Sequence, residues 1–387
     1  MGKFGKKNHV RLDPLAYNIC LLGESKIGKS TLIKQVCEKL AGEDGYLFME
    51  LGQERGADAI EGIHYINCFE WNADYDELNN SAGFADVCED IIANKSRDYP
   101  DLRVIVWDTY DQLITIAEQE AIRLWNKDCR EKGQADKMAK SINAAWGGFG
   151  KGEKKAMELM FSMMAALRNV GVATIVIGHV KTKDVADVVT GETYQVLTSD
   201  QQQNYFSALK KNLHFLGLAY IDRTIIKEKT GRKNIVSGKE IVANKVSAES
   251  RRIKFRDDNF AVDSGSRFAD IEPEIDMDAD AFINALQDAI KAEGEKGDRD
   301  IKTAAAEEKA HIAAEKERVA KRESKSRETS RLQEVIDNIV GFVSENKSDM
   351  DKIKPILAKC RELGYANPKE IGTLDDALVV WGVIENA

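Results

Sequence analysis

A glycine-rich segment near the start of the chain constrains the fold more than any other feature. Residues 23–30 read Gly-Glu-Ser-Lys-Ile-Gly-Lys-Ser, between an apolar run at 19–22 and apolar residues at helical spacing over 32–40. Glycines in such a segment let successive backbone N–H groups turn toward a phosphate, and the N-terminus of the next helix adds positive potential. The pattern G-x-x-x-x-G-K-S between a strand and a helix therefore predicts a phosphate-binding loop.

The side chains of this loop have distinct expected roles. We expect Lys29 to reach the outer phosphates of a nucleotide and the hydroxyl of Ser30 to bind Mg²⁺. A chance match in a glycine-bearing turn is the alternative, but the flanking strand and helix patterns argue against it. The predicted nucleotide-binding residues are Gly23, Glu24, Ser25, Lys26, Ile27, Gly28, Lys29, Ser30 and Thr31.

A second apolar run ends on a carboxylate. Residues 102–109 read Leu-Arg-Val-Ile-Val-Trp-Asp-Thr, which predicts a buried strand with Asp108 at its end. Downstream of a phosphate-binding loop, an aspartate at this position holds Mg²⁺ through the water shell of the ion. Ser30 and Asp108 are therefore the predicted metal-binding residues.

Composition limits the class of protein. A chain of 387 residues predicts two or three domains, and a net charge of −9 argues against a wholly basic nucleic-acid coat while leaving local basic loops possible. The six cysteines are scattered without a C-x-x-C pair, as expected for reduced thiols. Since no apolar stretch reaches about 18 residues, we expect a cytoplasmic protein without a membrane partner.

Changes in residue pattern predict four segments. Residues 1–14 form a short basic arm, and 15–290 alternate strand and helix patterns, which predicts an α/β core with a mostly parallel twisted sheet. A Met-rich helix near 157–167 is expected to pack in that core. Half of the residues in 291–330 are charged, which predicts a solvated helix or a tether, and 331–387 regain apolar periodicity, which predicts a small helical domain.

Taken together, these segments resemble the RecA-core ATPases, and most closely the phage-encoded ATP-binding proteins of the single-strand annealing and recombination group. The resemblance covers roughly residues 15–272. It is carried by the phosphate loop, LFMELGQERGADAIEGI at 47–63, VIVWDT at 104–109, ATIVIGHVK at 173–181 with the loop after it, and GSRF at 265–268. It implies that the nucleotide is ATP, that the metal is Mg²⁺, and that the chain hydrolyses ATP.

The resemblance also implies catalytic residues. An acidic residue just after the second strand activates the attacking water in this group. Glu54 matches that position best, and Glu50, at the strand end itself, competes with it because the segment departs from the commoner Asp-x-Glu form. His179 occupies the position of the residue that senses the γ-phosphate. The alternative is a structural histidine whose hydrogen bonds are satisfied at the end of its strand.

Other residues are implied to act on DNA or on a neighbouring subunit. Segments 141–155 and 181–208 coincide with the two loops that hold single-stranded DNA, with lysines for phosphates and Trp146 and Phe149 for stacking on bases. Flexible solvated loops are the alternative. Lys245 resembles a lysine donated into the neighbour's nucleotide site, unless it caps its strand or pairs with Glu240. Arg267 is a second possibility for that role.

We therefore expect a Mg²⁺-ATP-dependent protein that binds single-stranded DNA as a homo-oligomer, filament or ring, and promotes strand annealing or pairing. A replicative helicase or helicase-loading motor on the same core is one alternative. Another is an ATP-gated scaffold that recruits a replication or single-strand-binding protein through the C-terminal helical domain.

Overall fold

The computed structural model describes residues 8–53, 55–186, 190–233, 240–256, 262–296 and 301–385. For residue 301 and the strand residues between 224 and 247 the description is limited to the backbone. The chain divides into two compact units, Met1–Ala314 and Glu315–Ala387.

The described part of the first unit is built around one ten-stranded sheet. Its central strands are all parallel in the order β7-β1-β5-β4-β2-β3, while β8 and β10 extend the sheet antiparallel beyond β7. β6 and β9 pair antiparallel with β5 and β7. The strands are β1 (Ile19–Gly23), β2 (Tyr46–Leu51), β3 (Tyr65–Cys68), β4 (Val104–Asp108), β5 (Ala173–Ala186), β6 (Thr193–Ser199), β7 (Phe215–Lys233), β8 (Glu240–Lys254), β9 (Gly265–Ser266) and β10 (Glu274–Asp276).

Helices cover the central strands. Every residue of β1 and β4 is buried, as parallel strands covered on both faces require. The first-unit helices are α1 (Lys29–Ala41), α2 (Phe84–Asn94), α3 (Tyr110–Glu131), α4 (Lys151–Asn169), α5 (Gln203–Asn212) and α6 (Ala279–Glu295). In one core cluster, Ile33 of α1 and Phe282 of α6 join Leu21 of β1. The predicted α/β fold with a mostly parallel sheet is confirmed.

The Met-rich helix packs as predicted. Met160, Met163 and Met164 of α4 are all buried. Their spacing of three and four residues places them on one face of the helix, which is the apolar face. Among the helices that the structure describes, none is long and apolar enough to cross a membrane.

Two parts of the segment predicted as a loop after His179 form paired strands. After His179 the chain does not open into a loop, because β5 continues to Ala186 and β6 returns beside it in a hairpin before α5 begins. The alternation of Thr, Val and Tyr on these strands favours extended structure. Farther along, the basic segment 227–233 belongs to β7, and 234–239 lie outside the described residues.

The described residues of the predicted N-terminal arm are attached to the core. Asp13 pairs with Arg103 at 2.5 Å, and its carboxylate also accepts a hydrogen bond from Leu15 N at 3.0 Å. Arg11 donates from Nε and Nη2 to Glu308, at 2.9 and 2.7 Å. These two arginine–carboxylate ion pairs hold a short segment in place although it carries few apolar residues.

The C-terminal helices are α7 (Ile301–Glu345), α8 (Met350–Glu362) and α9 (Leu374–Glu385). The charged segment after residue 300 is helical, in keeping with its Ala, Glu and Lys content. The second unit has a small core of its own, formed by Ile336, Ile339, Ile356, Cys360, Ile371, Ala377 and Val380.

Candidate active site

Register in the parallel sheet brings four of the discussed residues to one edge. Gly23 at the end of β1 lies opposite His179 of β5, and Glu50 of β2 lies opposite Asp108 of β4. The carboxyl ends of parallel strands share one edge of a sheet, and ligands of open α/β folds bind there. The residues separated by up to 156 positions in the sequence thus become neighbours.

The predicted phosphate loop has the backbone that its chemistry requires. Gly28 precedes α1 with φ +105°, and no side chain caps the helix, so its N-terminus is open to an anion. A side chain at Gly23 would also be crowded, since a Cβ atom there would lie 3.0 Å from the carbonyl oxygen of Ala219. No acidic side chain stands in the first turn of α1 that would compete with a phosphate.

Lys29 is folded into the loop. Its Nζ donates to the carbonyl oxygens of Gly23 at 3.0 Å and Glu24 at 2.9 Å, and only 6% of the residue is exposed. The ammonium group therefore lies on the concave side of the loop, where a phosphate would bind.

The two predicted metal-binding residues are in contact. Ser30 Oγ donates a hydrogen bond of 2.5 Å to Asp108 Oδ2, and Asp108 is 5% exposed. Hydroxyl and carboxylate oxygens are the ligands that Mg²⁺ prefers, with phosphate oxygens and water completing its octahedron. The residues present therefore fit a Mg²⁺-nucleotide.

Glu50 lies beside this pair and is buried, with 2% exposure. Its Oε1 accepts a hydrogen bond from Ala57 N at 2.8 Å, while Oε2 is buried without a hydrogen-bond partner in the described part of the chain. Burial, reinforced by the negative charge of Asp108, raises the pKa of Glu50 to about 7. A buried carboxylate poised near neutral pH has the properties of a general base. Glu54, the residue ranked first from the sequence, lies outside the described residues.

His179 is anchored by Asp111, a residue that sequence reasoning missed. Asp111 Oδ2 accepts the backbone N–H of His179 at 3.0 Å and lies 2.6 Å from its Nδ1, while Gln201 Nε2 donates to the other carboxylate oxygen. The pairing of β5 with β1 ends at His179, and Gln201 lies just before α5. The Asp111 carboxylate thus connects these two parts of the chain. The position of Asp111, three residues after Asp108, was the available signal.

The two residues proposed to act across a subunit boundary differ in how much is described. Lys245 lies on β8 opposite Ile226, and its side chain is outside the description. Arg267 donates from Nε to the carbonyl oxygen of Leu213 at 2.9 Å and from Nη2 to that of Lys211. Because these donors bind backbone carbonyl groups of the same chain, Arg267 is better suited to anchoring the end of α5 than to reaching a neighbouring subunit.

The segment before α4 presents an exposed aromatic ring. Residues 146–150 all have positive φ, and the three glycines among them make that conformation accessible. Phe149 is 99% exposed. Trp146, in contrast, packs on Trp125 with the two ring centroids 5.5 Å apart, and its Nε1 donates to the carbonyl oxygen of Ala121. Only Phe149 of the predicted stacking pair is therefore a fully accessible ring.

Lysines flank Phe149 along the sequence, but some lysines farther along the chain are neutralised. Residues 137–155 contain five lysines and one acidic residue, Glu153. In the hairpin and α5, Lys181 pairs with Asp200 at 3.4 Å and Lys210 pairs with Asp263. Lys183 and Lys211 are exposed.

A second residue missed from the sequence is Arg251 on β8. A Cβ atom at Gly28 would lie 3.3 Å from Arg251 Nη1, so this guanidinium contacts the phosphate loop. Arginine in a basic strand carries no motif signal, and the contact depends on the β7–β8 pairing.

Comparison with known proteins agrees with this geometry. A family model described as AAA domain matches residues 15–248, which is more than half of the chain and includes the loop, the strand ends and β8 as far as residue 248. No curated protein matches the sequence. The parallel core, the loop at Gly23–Ser30 and the family match agree that this chain belongs to the AAA-domain family of P-loop ATPases.

Proposed function

We propose that this protein is a Mg²⁺-dependent ATPase that binds single-stranded DNA as a homo-oligomer and promotes annealing or pairing of strands, as in phage-type recombination. The observation that carries the ATPase part is the constellation at one sheet edge. Lys29 lies in the loop, Ser30 contacts Asp108, and buried Glu50 faces Asp108 in the strand register. The family match supports nucleotide binding.

The roles of the side chains follow from their chemistry. Lys29 would exchange carbonyl contacts for phosphate oxygens, and Ser30 and Asp108 would hold Mg²⁺, whose charge would offset that of the phosphates. Glu50 accepts a proton from the attacking water as the water oxygen bonds to the γ-phosphorus. The bond from that phosphorus to the bridging oxygen breaks, and ADP leaves with its electron pair. His179, held by Asp111, is positioned to sense the γ-phosphate.

Two observations support single-stranded DNA as the partner. The fully exposed Phe149 offers a face for base stacking, and five lysines lie within twelve residues on its N-terminal side or six on its C-terminal side in a chain whose net charge is −9. Stacking platforms combined with basic grooves are how proteins bind single strands without sequence preference. The two features together favour single-stranded DNA, because each of its nucleotides brings both a base that can stack and a phosphate that can pair with lysine.

Phe149→Ala should weaken binding of an oligothymidylate roughly 5- to 100-fold, the cost of one lost stacking contact. The salt dependence of binding should stay unchanged because no charge is removed. Lys183→Gln and Lys211→Gln should instead each flatten the slope of log affinity against log salt by about 0.7 per lost phosphate contact. Fluorescence anisotropy at several salt concentrations measures both quantities, and Leu78→Ala, another exposed apolar side chain, is the control. Unchanged affinity of Phe149→Ala would contradict the stacking role.

Oligomer formation is proposed because Lys245 lies far from the nucleotide site of its own chain. Lys245 precedes Arg251 by six positions on β8, and an extended strand covers about 20 Å over that length. Since Arg251 contacts the phosphate loop of its own chain, Lys245 lies too far along the strand to reach the same nucleotide. A neighbouring subunit is therefore the proposed recipient of Lys245.

Mixing tests this arrangement. Lys245→Ala alone should bind ATP and lose DNA-stimulated hydrolysis, because the transition state lacks a cation from the neighbour. A Lys29→Ala subunit still supplies Lys245, so a mixture of the two variants should regain part of the activity that each lacks. The steady-state phosphate release of the mixture, compared with the two proteins assayed apart, measures the recovery. A mixture that is no more active than the sum of its parts contradicts the role across the boundary.

A scaffold function is the second candidate, favoured by the surface of α9. Leu378 and Val379 are exposed on this helix, with 38% and 46% of each residue accessible. Exposed apolar side chains next to each other are typical of a protein-binding surface. This candidate would recruit a replication or single-strand-binding protein instead of acting on DNA.

The test of the proposed function is the rate of ATP hydrolysis with and without single-stranded DNA, followed by an annealing assay on complementary strands. Stimulation by DNA together with faster annealing supports the proposal. Directional unwinding of a forked duplex would favour a helicase. ATP hydrolysis with no DNA binding by the full chain would favour the scaffold.

A further inference from the structure

Arg251 differs from the other arginines around β7 and β8 in what its side chain contacts. Arg252, the next residue, is held by Glu274 at 3.0 Å and Asp276 at 2.6 Å, and Arg223 of β7 pairs with Glu249 at 3.3 Å. In the part of the chain that the structure describes, Arg251 is exposed and makes no ion pair with an acidic residue. Its guanidinium is directed instead to Gly28 in the phosphate loop.

The backbone fixes where Arg251 lies. β8 pairs with β7, placing Arg251 opposite Ile221, and the carbonyl oxygen of Arg251 accepts the backbone N–H of Met277 at 3.0 Å. Strand residues alternate between faces, and Ile253, two residues on, belongs to the core cluster that contains α1. Arg251 therefore stands on the face of β8 that carries α1 and its N-terminus.

This arrangement concentrates positive charge. The N-terminus of α1 carries positive potential, and its first turn contains Lys29 and no acidic residue. A guanidinium beside it adds a further positive charge without a carboxylate to balance it among the described residues. An anion bound at the loop would relieve this repulsion, because phosphate accepts hydrogen bonds from arginine and from backbone N–H groups alike.

We infer that Arg251 is a nucleotide-binding residue of its own subunit, which donates hydrogen bonds to the non-transferred phosphates of the nucleotide at the Gly23–Ser30 loop. The inference rests on the proposed function, since it takes the ligand to be a nucleoside di- or triphosphate. The backbone of a P-loop cradles the α- and β-phosphates, and Gly28, which lies beside the Arg251 guanidinium, is part of that backbone. Glu50 and Asp108 lie instead at the strand ends.

A contact with the non-transferred phosphates has a kinetic signature. Such a contact is present in the ground state and in the transition state, so its loss raises KM and leaves kcat nearly unchanged. Arginine acting on the transferred phosphate would instead lower kcat. ADP and ATP should also lose affinity equally, because both carry the α- and β-phosphates.

The experiment is a fluorescence titration of the full chain with N-methylanthraniloyl-ADP and the corresponding ATP analogue, alongside steady-state kinetics. Arg251→Ala should bind both nucleotides at least about 10-fold more weakly, the loss expected for a hydrogen bond to a charged group. Arg251→Lys should fall between, because an ammonium keeps the charge but not the forked donor geometry. Arg223→Ala, an exposed arginine on the adjacent strand, should match wild type. Thermal melting checks that each variant is folded.

Each outcome bears on a different claim. If wild-type protein binds the nucleotides and Arg251→Ala binds them equally well, the inference is wrong and the ATPase proposal stands. A lower kcat with unchanged affinity for ADP also overturns the inference, because it assigns Arg251 to the transferred phosphate. If wild-type protein binds neither nucleotide, the proposed function itself is contradicted.

Discussion

Replacing Glu50 by Gln should leave ATP binding intact and lower the turnover number by about 10²-fold or more, the scale for loss of a general base. The substitution keeps the size of the side chain and the oxygen that accepts from Ala57 N. It removes the ability to take a proton from water, which an amide lacks. Nucleotide affinity should therefore stay within a few-fold of wild type while hydrolysis fails.

The comparison with Glu54→Gln decides between the two acidic residues. If Glu50 is the base, Glu54→Gln should keep most of the wild-type turnover. Single-turnover phosphate release, measured with nucleotide binding on the same preparations, separates the chemical step from binding. Loss of turnover in Glu54→Gln with an active Glu50→Gln protein would restore the ranking that the sequence favoured.

The raised pKa of Glu50 also predicts how the stability of wild type depends on pH, which can be compared with that of Glu50→Gln. Burial, the charge of Asp108 and, more weakly, that of Asp58 raise the pKa to about 7, while the N–H groups of Ala57 and Gly56 oppose the rise. The ordinary pKa of a glutamate is 4.5. Between pH 4.5 and about 7, Glu50 therefore keeps its proton in the folded protein and has lost it in the unfolded chain. By linkage, the stability of wild type falls as pH rises through that window.

Glu50→Gln removes this cost, because an amide does not ionise. In EDTA and without nucleotide, the variant should be more stable than wild type above pH 7, by up to about 3 kcal/mol at 1.36 kcal/mol per pKa unit. The difference should shrink toward zero as pH falls to about 4.5. Thermal or urea unfolding across this range measures it. A difference that does not change with pH would mean that Glu50 is ionised in the folded protein over the whole range.

Lys29→Ala should abolish detectable hydrolysis and weaken nucleotide binding. Lys29 is the cation whose ammonium lies inside the loop, so its removal leaves the outer phosphates without a counter-charge from that side. The variant also leaves the carbonyl groups of Gly23 and Glu24 without this donor, which should cost about 1–3 kcal/mol of stability. Unfolding must therefore be measured together with activity.

Lys34→Ala is the matched control. Lys34 lies on the same helix and pairs with Glu38 at 2.6 Å, so its removal also deletes one lysine and one polar contact of α1. This variant should hydrolyse ATP at nearly the wild-type rate. Wild-type turnover in a folded Lys29→Ala protein would contradict the assignment of the loop.

The loop itself was predictable from the sequence because its physics is local. Glycine spacing, the strand before it and the helix after it lie within 24 consecutive residues, 17–40, and they determine backbone conformation without help from distant parts of the chain. The same holds for Asp108, whose position at the end of an apolar run follows from the run alone. Alternation of strand and helix patterns likewise indicated the parallel α/β core.

Segments with weaker local signals were predicted less well. The stretch after His179 is polar, which favours a loop, yet it forms a hairpin because each of β5 and β6 supplies the other with hydrogen-bond partners. Charged loop residues are usually exposed, but the curvature of the loop buries the ammonium group of Lys29 against two carbonyl oxygens. In both cases the deciding partner is not visible in the local pattern.

The sequence by itself determined the phosphate loop, the aspartate at the end of β4 and the class of fold, because each depends on residues close together along the chain. Only the tertiary structure decided that Glu50 faces Asp108, that Asp111 holds His179 and Gln201 together, and that Arg251 reaches Gly28. These contacts depend on strand register and on pairing across up to 223 positions. Burial and charge that depend on such neighbours, including the raised pKa of Glu50, are properties of the folded sheet edge and of no single segment.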